Sequence, residues 1–385
     1  MNYDQHTQLL TDPKEVNVVA IEREIVQLWK DYGGGDTGSS PITRACSLNF
    51  VIVTEDESNL NELGNMAGDV TLEHPARIFL IHANRRMSMP NLDAWISARC
   101  SLPVPGGKQV CCEQINLTAS GTEANKIPSI VTSLLVSDVP CVVLWKPRVN
   151  AQDSALLSLA KVSNRILIDT SEDPSPEQSL LAWHLFIRAQ DRHVTFGDLA
   201  WTHLVPWRSV IANTFQATNA LSQLTKIESV RIEYSATTSP KHSGLSQALL
   251  LVAWLAQKLR WIPIQKLQNT GLADYTALFR LDEQAINIRI TSVPPRKNFP
   301  GGVESVTIQT STRLPNGGLH LHCATTEHKD CILYRKQLSG ETREEIQNVL
   351  TDKSEAALVA QELEVVQRDN GYEAVLNTLG GLLKS

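Results

Sequence analysis

The chain has 385 residues, is 42% hydrophobic and 20% charged, and carries a formal net charge of −6. A protein that grips phosphate backbones shows a basic excess or stripe, so these values argue against nucleic acid as the main partner. The length predicts two domains with enough apolar material for sizeable cores.

The first residues, MNYDQHTQLLTDPKEVN, lack the basic start and apolar run of a secretory signal. No uninterrupted apolar stretch has the length of a membrane span, so a soluble cytoplasmic protein with no membrane partner is expected. Seven scattered cysteines do not form a secreted disulfide framework and are read first as buried thiols. Cys111 and Cys112 are adjacent, and neighbours on a strand point to opposite faces, so one thiol is expected to pack on each side.

In chain order, Val18, Ile21, Ile25, Leu28 and Tyr32 recur at helical spacing and predict an amphipathic helix. Residues 33–40 are glycine-rich, but they follow a helix and match neither a P-loop nor a dinucleotide fingerprint, so they are read as a linker. Continuous apolar runs at 50–53, 78–81, 142–144 and 166–168 predict strands covered on both faces. Helical patterns lie between them, at 121–136 behind Ser120-Gly121-Thr122-Glu123 and at 155–162. The expectation is an α/β domain over residues 1–225, a mostly parallel sheet flanked by helices, with the boundary near 222–228.

The second half alternates instead. Val230, Ile232 and Tyr234 share one face, as do Ile286, Ile288 and Ile290, and Leu319, Leu321 and Cys323. Period-two alternation predicts a sheet with one buried face, and Leu245, Leu249, Val252, Ala256 and Leu259 predict the helix that covers it. Residues 226–385 are therefore read as an α+β domain with a mainly antiparallel sheet, ending in helices. The last 45 residues are read as helical, with Glu341, Glu344 and Glu345 near a helix start.

No nucleophile elbow and no His-Glu-x-x-His occurs, and no catalytic residue, metal site or cofactor is assigned. His320, His322, Cys323, His328 and Cys331 cluster, but in no standard zinc spacing. On a strand, His320 and His322 share a face that Cys323 does not. Cys323 and Cys331 flank a polar segment that could join two strands as a hairpin, which makes them the candidate redox pair. Arg85, Arg86, Arg99, Arg148 and Arg165 could hold an anion or sit solvated at the surface. Among eight tryptophans, Trp145, Trp201 and Trp207 are the candidate interface anchors, because tryptophan is enriched at binding hot spots.

A series of segments resembles the glucose-6-phosphate dehydrogenase assembly protein (OpcA) family of cyanobacteria and actinobacteria. It runs from His74-Pro75-Ala76-Arg77 through Cys111-Cys112-Glu113-Gln114-Ile115 and Gly121-Thr122-Glu123 to Leu144-Trp145 and residues 165–171. It continues with Asp198-Leu199-Ala200-Trp201-Thr202, Pro206-Trp207-Arg208 and the stretch 250–261. Lys146 stands where many relatives carry a second tryptophan. The resemblance implies a non-catalytic protein that binds glucose-6-phosphate dehydrogenase, favours its active oligomer and activates it in the oxidative pentose phosphate pathway. It also implies thiol redox control with thioredoxin as a further partner. The alternative is an enzyme or sensor that binds a sugar phosphate or nucleotide in the α/β domain, with an anion at the helix start behind Ser120.

Overall fold

The structure, a computed structural model, describes residues 8–9, 11–33, 42–101, 109–190, 193–216, 218–238, 241–271, 273–295, 301–311, 318–326, 331–338, 340–348, 354–365 and 367–383. The chain forms two compact units. One comprises residues 1–168, 189–197 and 354–368, the other residues 169–188, 198–353 and 369–385. The chain thus passes between the units several times, rather than once near 222–228.

The first unit is built on a ten-stranded sheet. Six of its strands are Leu48–Thr54, Ala76–Asn84, Gln109–Ser120, Cys141–Trp145, Arg165–Ile168 and Thr195–Asp198. Numbered one to six along the chain, they lie in the order three-two-one-four-five-six. The pairings from the third to the fifth are parallel. This is the strand order of a doubly wound dinucleotide fold. The apolar runs explain it, because Leu48–Thr54 is buried at every position and needs cover on both faces. The path from the second strand to the third departs from the usual helix. It is the strand Asn91–Ser101, which pairs antiparallel with the third strand.

The leading amphipathic helix is Ile21–Gly33, with Ile21, Ile25 and Leu28 buried. Glu113 accepts from Trp29 Nε1 (2.8 Å) on that helix and from Arg77 Nε (2.6 Å) on the second strand. Arg77 also donates to Glu22 (2.5 Å), so an ion network centred on the buried Arg77 and Glu113 docks the helix. The segment read as one helix from Gly121 begins as a 3-10 turn, Gly121–Lys126, before the helix Ile127–Leu134. Gly121 is required at that entry: its φ is +56°, and a Cβ there would lie 3.0 Å from the Met87 carbonyl oxygen.

The second unit carries a nine-stranded sheet that is antiparallel except where Ile227–Thr238 and Gln284–Ser292 run parallel. Its buried face holds Val230, Ile232, Ile288, Ile290, Val306, Ile308, Leu321 and Cys323, and the helix Leu245–Leu259 packs on it. The fold-class expectation of an α/β domain followed by a mainly antiparallel α+β domain describes both sheets. One element differs. Glu341–Asn348 is an edge strand paired with Cys331–Leu338, and the helices come later, at Glu355–Leu363 and Asn370–Leu383. Its charges alternate across an exposed strand, which protects a sheet edge from further pairing.

Candidate functional site: the carboxyl edge of the parallel sheet

In open α/β sheets, ligands bind beyond the carboxyl ends of the strands where the strand order reverses. Here that place lies between the first strand, ending at Thr54, and the fourth, ending at Trp145. A dinucleotide site needs a glycine-rich turn after the first strand, so that backbone amides can approach a pyrophosphate at the helix start. This chain instead has Glu55-Asp56-Glu57-Ser58-Asn59, with all three carboxylates exposed. Asp56 caps the turn itself, accepting from the Ser58 amide (3.0 Å) and the Ser58 hydroxyl (2.7 Å). Those two hydrogen bonds hold its carboxyl below the usual carboxylate range. The donors that would greet a phosphate are therefore in use, and any phosphate would meet three negative charges.

The second strand ends in His82-Ala83-Asn84-Arg85, without the acidic residue that a ribose hydroxyl would need. Arg85 is bound bidentate to Asp153 (2.6 and 3.1 Å) and is not free to hold a phosphate. Asp153 in turn caps the helix Ser154–Ala160, accepting from the amides of Ala155 and Leu156. At the fourth strand, the Lys146 amide donates to Val53 O (3.0 Å) and its ammonium to Glu355 (2.8 Å). The Lys146 side chain is buried by this contact. The reversal point is thus filled by the protein's own charges. Trp145 Nε1 and His82 Nδ1 are buried and have no hydrogen-bond partner among the described residues.

Glu355 belongs to the helix Glu355–Leu363, whose Glu362 forms a buried ion pair with Arg165 of the fifth strand. Gly197 makes room for that pair, because a Cβ there would lie 2.2 Å from Glu362 Oε2. Sequence reasoning left Arg165 open as an anion holder; the structure makes it the internal partner of Glu362.

The three candidate anchors are interior residues, so they present no ring to a partner: Trp145 is 3% exposed, Trp201 6% and Trp207 4%. Trp201 donates from Nε1 to Asp369 (3.0 Å), stacks under the Arg208 guanidinium (3.4 Å) and leans on Tyr372. Asp198, in the same motif, accepts from the Thr170 amide and hydroxyl, the Ala200 amide and the Tyr372 hydroxyl. Complete burial raises its carboxyl to about 7, with the Asp169 charge adding to the effect. The most family-like segment is a clasp that holds the last helix, Asn370–Leu383, in the second unit.

The cysteine expectations need correcting too. Cys323 faces Tyr334, and Thr325 faces Ile332, so Cys331 lies beyond the position opposite Cys323. The facing-pair geometry expected for Cys323 and Cys331 is absent, because the hairpin register is offset by three residues. The Cys323 thiol is sealed in the core and burial pushes it up to about 12, while the Cys331 side chain lies outside the described residues. His328 also lies outside them, and His320 and His322 sit on the face opposite Cys323. The disulfide that does form joins Cys100 to Cys111, which face each other across the antiparallel pair. Cys111 is therefore no free thiol, whereas Cys112 packs on the other side with its thiol raised to about 11 by burial.

A family model described as "Glucose-6-phosphate dehydrogenase subunit N-terminal domain" matches residues 67–184, and one described as the C-terminal domain matches residues 194–376. The OxPP cycle protein OpcA of Nostoc punctiforme is 23% identical over 97% of this chain and 95% of its own length. The protein of that name from Synechococcus elongatus is 26% identical over 58% of this chain and 49% of its own length. Solved structures with some likeness include a 3-ketoreductase from Actinomadura kijaniata, with a TM-score of 0.47, 11% identity, and coverage of 87% of this chain and 95% of that one. Glucose-6-phosphate 1-dehydrogenase from Mycobacterium avium has a TM-score of 0.45, 10% identity, and coverage of 88% and 90%.

Proposed function

Because the chain belongs to the OpcA glucose-6-phosphate dehydrogenase assembly family, we propose that it is a non-catalytic partner of that dehydrogenase. It binds the enzyme in the cytoplasm, favours its active oligomer and raises its activity in the oxidative pentose phosphate pathway. The observation that carries the non-catalytic part is the reversal point of the parallel sheet, where Glu55, Asp56 and Glu57 replace a glycine-rich turn and Lys146–Glu355 fills the crevice. A sheet in dinucleotide-fold order with that chemistry repels the cofactor its topology would otherwise hold.

Activation follows from linkage. A partner that binds the active form of the dehydrogenase more tightly shifts the population toward it by that difference in affinity. Redox control, with thioredoxin as reductant, is the finer part of the reading. Cys323 faces Tyr334 rather than Cys331, so the crosslink such control would break is Cys100–Cys111.

A second reading has one observation in its favour. The unpartnered Trp145 and His82 nitrogens at the carboxyl edge would suit a small polar ligand in a sensor or enzyme. Calorimetric titration of the isolated chain with nicotinamide cofactors and sugar phosphates separates the two. Absence of binding supports the non-catalytic partner, and saturable binding at micromolar levels with turnover overturns it.

A further inference from the structure

Among the described residues of this unit, no helix packs on the face of the nine-stranded sheet opposite the helix Leu245–Leu259, and the register lines up a polar surface there. One row crosses Thr276, Arg289, Arg231, Thr307, His322 and Arg335 on successive strands. Arg231 and Arg289 are register neighbours on parallel strands, both exposed. Like charges placed side by side on a sheet oppose its stability. Among the described residues neither guanidinium has a hydrogen-bond or ion-pair partner. The two rise from a hollow of about 710 Å³ lined otherwise by neutral groups and His320, with no carboxylate in its wall among the described residues. Arg335 is paired with Glu344 farther along the row, and Glu233 in the next row accepts from Ser305. The centre of the face is therefore basic, in a chain whose net charge is −6.

Apolar residues stand at both margins of this face. Ile262 and Ile264, on the edge strand Ile262–Gly271, are 56% and 55% exposed. Ile346, on the opposite edge strand, is 64% exposed and faces Leu333. The eight strands that run in order here, at about 4.8 Å apart and roughly five residues deep, span on the order of 600 Å². That approaches the ~800 Å² per partner of a standard interface.

We propose that this open sheet face is the docking surface for the dehydrogenase, and that Arg231 and Arg289 receive carboxylates from its surface. The inference rests on the functional reading above and adds where the contact lies. The basic centre calls for an acidic partner surface, and a second copy of the chain on a two-fold axis through the face would set that centre against itself.

The test compares the parent chain with R231E/R289E and R231Q/R289Q for binding to the dehydrogenase of the same organism, at low and moderate salt. The Glu variant is expected to weaken binding at least tenfold, the Gln variant less, and both should flatten the salt dependence. Arginine modification by phenylglyoxal, read by mass spectrometry on the parent chain, needs no variant: Arg231 and Arg289 are expected to be protected in the complex. A parent complex indifferent to R231E/R289E, with both arginines still reactive, overturns this inference alone. A parent that forms no complex overturns the functional reading and this inference with it. A parent that dimerises by itself and becomes monomeric on R231E/R289E assigns the face to a second copy. Stabilisation of the parent but not of the variant by millimolar inorganic phosphate, with the complex unchanged, assigns it to a small anion. Either of these last results also overturns the proposal.

Discussion

Replacing Glu362 by Gln should unseat the segment 354–368 from its sheet. Arg165 and Glu362 are 5% and 7% exposed at their side chains, and Gly197 leaves no space beside them for relaxation. The substitution keeps the shape but strands a buried guanidinium, whose remaining side-chain contact is a 3.2 Å hydrogen bond to Thr195. Breaking one half of such a pair is destabilising by about 3–5 kcal/mol, whereas replacing both charges by apolar groups of similar volume is often neutral. Urea unfolding followed by tryptophan fluorescence, with hydrogen exchange on residues 354–368, should therefore show a large loss for E362Q. The double variant R165M/E362L should lose much less. A loss below about 1 kcal/mol for E362Q, or a double variant worse than the single, would refute the view that this ion pair holds the returning segment.

Three further outcomes follow from particular side chains. Asp198 is raised to about 7 from an ordinary 3.8, so the folded chain binds the extra proton between those values and its stability falls as pH rises through that window. D198N should flatten the slope between pH 4 and 7, seen in melts across pH; an unchanged slope would show that Asp198 does not titrate there. Reducing Cys100–Cys111, which spans 11 positions, should lower stability by about 3 kcal/mol in the chain-entropy treatment, with C100S/C111S insensitive to reductant in the same unfolding assay. Finally, E55G/D56G/E57G removes the acidic turn yet leaves Lys146–Glu355 in the crevice, so fluorescence titration should still detect no binding of a nicotinamide dinucleotide.

Much of the fold was legible because burial writes itself into local pattern. The continuous apolar runs at 50–53 and 78–81 and the alternation around Val230 and Ile288 gave the two sheet types directly. The strand order was not legible, since which strands neighbour one another is a tertiary outcome. Neither was the return of residues 354–368 to the first unit. Glu355 and Glu362 read as ordinary helix-surface charges, and nothing local announces partners some two hundred residues away at Lys146 and Arg165. The strand Glu341–Asn348 was misread because three glutamates suit a helix start as well as a charged sheet edge.

The site residues were less legible still. Trp201 looked like an anchor by residue type, yet its indole is consumed by Asp369, Arg208 and Tyr372. The argument applied to Cys323 and Cys331 fits Cys100 and Cys111 better, since Pro103, Pro105, Gly106 and Gly107 lie between them. That turn chemistry was the available signal. Arg231 and Arg289 carry no local motif at all; only the register that sets them side by side singles them out.

The central claim is that this chain acts on the dehydrogenase and carries no oxidoreductase activity itself. The direct measurement mixes the chain with the dehydrogenase of the same organism and follows glucose-6-phosphate oxidation alongside size-exclusion with light scattering. The account predicts a co-eluting complex, a higher rate at limiting substrate, and no oxidation by the chain alone. Turnover by the isolated chain, or a dehydrogenase whose mass and rate are untouched by it in both reduced and oxidised samples, would contradict the account.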